Sequence, residues 1–292
     1  MSELQRILVQ LDTDSQSSVF DAVVAIDAGV DKLLQYANVE VTNARSLVHG
    51  AMFTRGPKDL KSTALFVGGS NVALGEAVAA EIRQTFFGPI RCSVMLDCNG
   101  SNTTAAAAVL CAAKHVSLNG AECLVLGGTG PVGLRVARLL LGQNASVTVA
   151  SRDASRAADA ATQIASHAAV AGRGKLQSLG LSNSEATAAA LRNVEVLISC
   201  GAAGVQLLDA DALAGAAKLR TAIDLNAVPP AGIAGIEVMD KAVTRGSRTD
   251  YGAIGVGGLK MKIHREAVKT LFTRNDLYLD AEEIFEIGRT LV

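Results

Sequence analysis

Short apolar runs alternate with longer amphipathic stretches along most of the chain. The runs at residues 7–11, 30–36, 63–67 and 90–96 consist mainly of apolar residues, and segments with helical spacing follow the first three. Repeated strand–helix–strand units of this kind predict an α/β fold with a mostly parallel sheet and right-handed crossovers.

Small polar residues ahead of the amphipathic stretches predict where the helices begin. Ser17, Thr42 and Asn71 are the expected N-caps of the first three helices. The first of these helices has an apolar face at helical spacing, made of Val19, Phe20, Val23 and Val24.

The alternation continues in the second half of the chain. An Ala-rich helix that follows the polar stretch 97–104 and runs to about residue 116 connects the halves, and Asp280 is the expected cap of a final helix at 281–291. Residues 168–183 are small, polar and irregular, so they predict no element. Further strands are predicted at residues 123–126, 146–150, 194–199 and 221–225.

Glycines are concentrated directly after the strand at residues 123–126. Three of them have the spacing G-x-G-x-x-G, and an amphipathic stretch at 134–141 follows. In such a turn one glycine makes the bend, one admits a pyrophosphate and one packs the helix, whose N-terminus faces the phosphates. A glycine-rich turn without a ligand is the alternative. The predicted dinucleotide-binding residues are Gly128, Thr129, Gly130, Pro131, Val132 and Gly133.

The residues after the next strand indicate which nucleotide is bound. An acidic residue there would bind the ribose of NAD, but this chain has Ser151 and Arg152, with Arg156 one turn later. A hydroxyl and guanidinium groups favour the 2′-phosphate of NADP. Asp153 leaves open a displaced ribose ligand and use of NAD, and Arg152 and Arg156 are alternatively a solvated helix start.

Two later stretches complete the predicted cofactor site. Cys200, Gly201, Ala202 and Asn226 end strands at the edge where parallel sheets bind ligands, and are either nicotinamide contacts or ordinary turns. Gly255 and Gly257 precede a predicted helix and would form a second anion-binding N-terminus.

Polar side chains elsewhere are candidates for the chemistry. Lys260 and His264 are one helical turn apart, and either enter the site or lie on a basic face in water. Asp97, Asn99, Asn102 and Thr103 follow a strand and form either a polar site or a helix cap; for Asn102 the cap is favoured.

The chain length of 292 residues predicts two domains. We expect an N-terminal α/β domain at residues 1–100, to which the helix at 280–292 can be joined. We expect a Rossmann dinucleotide-binding domain at 101–279, with a cleft between the two.

Composition excludes several classes of function. With 49% hydrophobic residues, 19% charged residues and a net charge of −1, neither disorder nor a nucleic-acid or membrane partner is expected. The five cysteines form no CxxC pair and the four histidines are scattered, which predicts no metal site and a reducing, cytoplasmic location. The N-terminus meets acidic residues too early for a signal peptide, and the longest Ala-rich apolar run, 105–113, is too short to span a bilayer.

Several longer stretches are more specific than the glycine turn, and on them the chain resembles the bacterial methylene-tetrahydromethanopterin dehydrogenases of one-carbon metabolism. The resemblance runs almost from end to end. It is carried by Asp12-Thr-Asp14, Ser18-Val-Phe-Asp21, Thr54-Arg-Gly56, Phe66-Val-Gly-Gly69, Met95-Leu-Asp97, Asn99-Gly-Ser-Asn-Thr-Thr-Ala-Ala106, Gly128-Thr-Gly-Pro-Val-Gly133 and Gly255-Val-Gly-Gly-Leu-Lys-Met-Lys-Ile-His-Arg265.

The resemblance implies a pterin-binding N-terminal domain, a Rossmann domain, and a homo-oligomer. The family includes NADP-specific members and members that use both cofactors. The implied pterin-binding residues are Asp14, Phe20, Asp21, Asn99, Asn102, Thr103, Lys260 and His264.

The implied reaction is hydride transfer from methylene-tetrahydromethanopterin to NADP+, which leaves a delocalised methenyl cation. The nitrogen lone pairs drive hydride departure, so positioning and electrostatics should suffice. Asp97 would offset the positive charge, and Lys260 would bind a substrate carbonyl or phosphate. Methylene-tetrahydrofolate as substrate, NAD+ as acceptor, and a non-catalytic NADP-binding regulator are the alternatives.

Overall fold

The computed structural model describes residues 4–292, apart from the side chain of Ser184. Its strands are β1 (Ile7–Asp12), β2 (Lys32–Tyr36), β3 (Thr63–Gly68), β4 (Ser93–Leu96), β5 (Glu122–Leu126), β6 (Ser146–Ser151), β7 (Lys175–Gly180), β8 (Val196–Ser199), β9 (Thr221–Asp224), β10 (Lys241–Arg245), β11 (Arg248–Tyr251) and β12 (Tyr278–Leu279). Its helices are α1 (Val19–Asp27), α2 (Val41–Met52), α3 (Val72–Thr85), α4 (Ser101–Ala113), α5 (Pro131–Gly142), α6 (Ala154–Ala165), α7 (Ser184–Leu191), α8 (Ala210–Ala214), α9 (Ala253–Thr270) and α10 (Ala281–Arg289).

The described residues form two compact units. The first consists of the chain up to Thr103 together with Met261–Leu291, and the second is essentially Thr104–Lys260. Residues 261–279, which the sequence placed with the dinucleotide-binding part, therefore pack with the N-terminal part. The functional domain boundaries themselves stay a prediction.

The first unit is built on a five-stranded parallel sheet in the order β2-β1-β3-β4-β12. β3 and β4 are buried along their whole length, and their apolar side chains share a core with α2 and α3. The order reverses between β1 and β3, and ligands of open parallel sheets bind at such a switch point, beyond the carboxyl ends of the strands.

The start of α1 differs from the prediction. The helix is capped by Ser18, whose Oγ accepts from Asp21 N at 3.2 Å, and not by Ser17. Val24 and Ala25 pack inward, whereas Val19, Phe20 and Val23 are exposed. The expected apolar face is therefore wrong for all but Val24, because α1 buries the narrower face that carries small side chains.

The other predicted caps have mixed outcomes. Asn71 caps α3 and Asp280 caps α10, as predicted. α2 begins two residues earlier than expected, because Glu40 and Asn43 form a capping box in place of Thr42.

The second unit is built on a seven-stranded sheet in the order β10-β11-β9-β8-β5-β6-β7. All neighbouring strands are parallel except the β10–β11 hairpin. From β7 through β5 to β11 this is the Rossmann order, whose switch point lies between β5 and β8. The α/β prediction is confirmed, and β7 occupies the stretch at 168–183 that predicted no element.

None of the helices in the described part of the chain combines the length and apolarity that a membrane span requires.

Candidate cofactor and substrate sites

The glycine turn joins β5 to α5, and its three motif glycines differ in what surrounds them. A Cβ on Gly128 would lie 2.7 Å from Val149 Cγ1, and one on Gly133 would lie 2.5 Å from Gly128 Cα. A Cβ on Gly130 would meet nothing closer than Gly127 O at 3.9 Å. Gly128 and Gly133 are therefore required by packing, whereas Gly130 leaves open space.

That open space lies at the N-terminus of α5. Gly130 is the N-cap and Pro131 follows, so no side chain of the described residues caps this helix end. Unpaired N–H groups and the positive end of the helix dipole face outward beside Gly130. This arrangement fits the pyrophosphate of a dinucleotide.

Gly127 was missed in the motif, yet it fixes the neighbouring loop. Its φ of +62° is left-handed, and a Cβ there would lie 2.7 Å from Gly201 Cα. The turn after β5 therefore packs backbone-to-backbone on the loop after β8. The sequence signal for this role was the pair Gly127-Gly128, in which Gly127 directly precedes the first glycine of the motif.

The expected 2′-phosphate site lies at the end of β6. Asp153 caps α6, with Oδ1 accepting from Ser155 N at 2.8 Å and Arg156 N at 3.2 Å. Ser151 Oγ accepts from Asp153 N at 3.3 Å, and Arg152 and Arg156 are exposed. Asp153 is thus held by the helix it caps, and the two arginines flank it.

Beyond the switch point, Asn226 ties two loops together. Its Oδ1 accepts from Gly204 N at 3.3 Å and Val228 N at 3.0 Å, and its Nδ2 donates to Pro230 O at 2.9 Å. Burial, and then the carboxylate of Asp224, raise the pKa of Cys200, so its thiol is neutral. Asn226 therefore shapes the loops that carry Cys200, Gly201 and Ala202.

The predicted start of the helix after Gly255 and Gly257 is wrong. α9 begins at Ala253, so both glycines lie inside the helix and not ahead of it. A Cβ on Gly255 would lie 1.7 Å from Asp240 O. Gly255 is required because the helix packs directly on the backbone just before β10, a reason that glycine spacing alone does not reveal. That Gly255 and Gly257 contact the cofactor stays a prediction.

In the first unit, the loops after β1 and β3 meet at the switch point. Ser70 donates to Asp14 Oδ2 from N at 2.9 Å and to Oδ1 from Oγ at 2.8 Å. Gly69 has a φ of +111°, and a Cβ there would lie 2.0 Å from Thr13 Oγ1. Asp14, predicted to bind the pterin, thus closes one loop on the other.

Asp97 is a helix cap, and the predicted cap Asn102 is not. Asp97 is 1% exposed; its Oδ1 accepts from Asn102 N at 2.9 Å and Thr103 N at 3.0 Å, and its Oδ2 accepts from Thr103 Oγ1 at 2.7 Å. Asn102 Nδ2 donates to Leu96 O and, at 2.9 Å, to Asp280 Oδ1. The three side chains form a buried framework at the start of α4.

Aromatic rings line the same unit. His264 is fully buried and stacks on Phe66, with ring centroids 5.7 Å apart and planes at 18°. Phe20 lies 6.4 Å from the His264 ring and is half-exposed. Phe66 was missed as a site candidate, and its place in Phe66-Val-Gly-Gly69 was the signal.

The remaining candidates are placed as follows. Asn99 adopts a left-handed φ of +53° after β4 and donates from N to Gly69 O at 2.8 Å, so the loops after β3 and β4 are joined. Asp21 lies beside Gly68, whose Cβ would be 3.6 Å from Asp21 Oδ2. Lys260 lies on α9 in the second unit, and its chemical role stays a prediction.

Comparison with known proteins identifies the family. Residues 19–99 match the N-terminal domain of methylene-tetrahydromethanopterin dehydrogenase. The bifunctional protein MdtA of Methylorubrum extorquens is 39% identical over 289 residues, covering 98% of this chain and 99% of the relative. The chain belongs to the methylene-tetrahydromethanopterin dehydrogenase family.

Further matches agree with this family assignment and with the fold. The NAD(P)-dependent methylenetetrahydromethanopterin dehydrogenase of the same organism is 32% identical, covering 97% of each chain. Residues 123–254 match the NAD dependent epimerase/dehydratase family. Shikimate 5-dehydrogenase from Listeria monocytogenes, in complex with shikimate and NAD, superposes with a TM-score of 0.52 at 13% identity, over 99% of this chain and 96% of that one. At this identity the superposition shows the fold alone.

The family predicted from the sequence is therefore confirmed, and with it the enzyme class and the use of a nicotinamide cofactor. The roles of individual side chains remain predictions. The structure limits these roles, because it distinguishes side chains that face open space from side chains that support loops.

Proposed function

We propose that this chain oxidises methylene-tetrahydromethanopterin to the methenyl form by hydride transfer to NADP+. The observation that carries the proposal is the near full-length similarity to two dehydrogenases of this family. The open, uncapped helix start at Gly130 supports it, because it provides what a pyrophosphate requires. Bound NADP+ supplies the hydride acceptor.

The chain's own residues have little acid–base work in this reaction. The substrate nitrogens expel the hydride, and no proton has to be moved. We propose that the protein acts by placing the substrate carbon against the nicotinamide in a site of low water content. The thiol of Cys200 is neutral and buried, which is consistent with a packing role in the site and not with a role as a nucleophile.

We propose the aromatic group of Phe20, Phe66 and His264 as the pterin platform. Aromatic faces bind flat heterocycles by offset stacking, and Phe20 presents such a face to solvent. Asp21 lies at the same strand-end edge, where a carboxylate can accept from pterin N–H groups. Asp14, Asn102 and Thr103 act mainly as supports, since their side chains form hydrogen bonds that hold loops in place.

One assay separates the proposal from its alternatives. Reduced-nicotinamide absorbance is followed with methylene-tetrahydromethanopterin and methylene-tetrahydrofolate, each with NADP+ and NAD+. We expect the fastest turnover with the methanopterin and NADP+. Faster turnover with the folate would reassign the substrate. Binding of NADP+ without turnover on either pterin would favour the regulator.

Asp97→Asn tests whether the buried carboxylate also contributes charge to the reaction. Asparagine keeps an oxygen for the N–H groups of Asn102 and Thr103, so we expect the melting temperature to change little. Loss of the negative charge should lower turnover about tenfold, or about 1.4 kcal/mol of transition-state stabilisation. The measurements are kcat and thermal unfolding.

Asp97→Ala is the matched control for the cap. It leaves two buried N–H groups and a hydroxyl without their acceptor, which should cost about 1–3 kcal/mol of stability. If the asparagine variant turns over like the wild type, Asp97 is a cap and nothing more.

We also propose that the chain forms a homo-oligomer. Val19, Val23 and Ile26 form an exposed apolar stripe on α1, and Leu34 and Tyr36 are exposed on the neighbouring edge strand β2. Contiguous apolar surface of this kind commonly marks an interface, and a second copy offers the same surface about a twofold axis. Light scattering tests this, and a monomeric mass at tens of micromolar would contradict it.

A cytoplasmic location is proposed from the cysteines. All five are free thiols and four are buried, as expected in a reducing compartment. Cell fractionation tests this, and recovery outside the cytoplasm would contradict it.

A further inference from the structure

Asp224 is a buried carboxylate that the proposed reaction has not used. It is the last residue of β9 and is 2% exposed. Its Oδ1 accepts from Asn226 N at 3.2 Å and its Oδ2 accepts from Ile233 N at 3.1 Å. Within residues 4–292, no lysine, arginine or histidine forms an ion pair with it.

A buried carboxylate held only by two backbone N–H groups is costly, because burial removes water that no cation replaces. Asp250, also fully buried in this unit, is paired with cations: Arg248 donates to it from Nε at 2.6 Å, and Arg245 pairs with it at 3.1 Å. Asp224 lacks any such partner, which points to a positive charge that arrives with a ligand.

The residues around Asp224 are connected to the glycine turn by a series of contacts. A Cβ on Gly232 would lie 2.6 Å from both Asp224 Oδ1 and Ser199 Oγ, and Gly232 O accepts from Leu207 N at 2.8 Å. Leu207 in turn packs on Gly201, which contacts Gly127. Asp224 therefore lies in the same layer of packed residues as the glycine turn.

This layer is where the nicotinamide half of a dinucleotide is expected. The dinucleotide crosses the switch point between β5 and β8, and its adenosine half is directed toward Ser151 on β6. The other half then lies over the ends of β8 and β9. Strands are about 4.8 Å apart, so the end of β9 is about 10 Å from β5.

We propose that Asp224 is the carboxylate that distinguishes the oxidised, cationic nicotinamide from the reduced, neutral one. This rests on the proposed function, since it requires that the chain binds NADP. The oxidised ring carries one positive charge, and the hydride, with two electrons, removes it. A charge buried near the ring is weakly screened and therefore favours NADP+ over NADPH. Asp224 is thus a positioning and specificity residue for the oxidation state.

The test compares dissociation constants of three ligands for the full-length wild type and Asp224→Asn. NADP+ is measured by calorimetry, NADPH by its fluorescence, and 2′,5′-ADP by calorimetry as a ligand without nicotinamide. We expect Asp224→Asn to weaken NADP+ about tenfold, while NADPH and 2′,5′-ADP change less than about twofold. Equal changes for NADP+ and NADPH, or no change in either, would overturn the proposal.

Two further variants keep the test sharp. Ser199→Ala removes a neighbouring hydroxyl that has no hydrogen-bond partner within the described residues and carries no charge, so it should leave the NADP+/NADPH ratio unchanged. If the asparagine NH₂ opposes Ile233 N–H and prevents folding, Asp224→Ser supplies a smaller neutral side chain that still accepts. Failure of the wild type to bind any of the three ligands would instead contradict the proposed function.

Discussion

Replacing Gly130 by aspartate is expected to weaken NADP+ binding at least about a hundredfold, or about 2.7 kcal/mol, without harming the fold. Gly130 has an extended backbone, with φ −85° and ψ 169°, and a Cβ there meets no atom closer than 3.9 Å. Aspartate is a favourable N-cap, so α5 should be as stable as before or slightly more so. The same carboxylate would occupy the helix N–H groups and repel the pyrophosphate.

The measurements are calorimetric titration with NADP+ and thermal unfolding of the apoprotein. Gln143→Glu is the matched control, because it adds the same charge at the opposite end of α5, where Gln143 is the C-cap. Gly133→Val is the contrasting variant: its Cβ would lie 2.5 Å from Gly128 Cα, so it should lower stability as well as binding. Retained NADP+ affinity in Gly130→Asp would place the pyrophosphate elsewhere.

Gly130 also shows what the sequence could predict. A turn between a strand and a helix is local, so the spacing of Gly128, Gly130 and Gly133 determines its geometry without knowledge of the rest of the chain. The alternation of strands and helices is local in the same sense, and it led to the correct α/β class. β7 was missed because none of its residues is buried, which leaves little apolar pattern.

The failures at Gly255 and Asn102 involve contacts between residues that are far apart in sequence. Gly255 resembled a phosphate-binding glycine, but what requires it is Asp240 O, on another loop. Asn102 resembled a helix cap. Its side-chain amide instead donates to Asp280, and Asp97 accepts from the N–H groups at the start of the helix. Asp224 gave no signal, because its burial without a cation appears only when the sheet is assembled.

Arg152→Ala is expected to weaken NADP+ binding about ten- to a hundredfold and to change NAD+ binding less than about threefold, because a charge-assisted hydrogen bond contributes about 1.5–3 kcal/mol. Arg152 is exposed directly after β6, next to Ser151. NAD+ lacks the 2′-phosphate that this guanidinium would bind. Dissociation constants for both cofactors provide the measurement, and Arg192→Ala, an exposed arginine after α7, is the control.

Asp153 determines how large that preference is in the wild type. Its carboxylate is held at the start of α6 by the N–H groups of Ser155 and Arg156, so it cannot move away from an incoming 2′-phosphate. Asp153→Asn keeps an oxygen for the cap but removes the negative charge, and should therefore raise the preference for NADP+ over NAD+ several-fold. Equal losses of both cofactors in Arg152→Ala, with no change in Asp153→Asn, would show that these two side chains form only a solvated helix start. Opposite shifts in the two variants would show that the wild type admits NAD+ because Asp153 offsets Arg152.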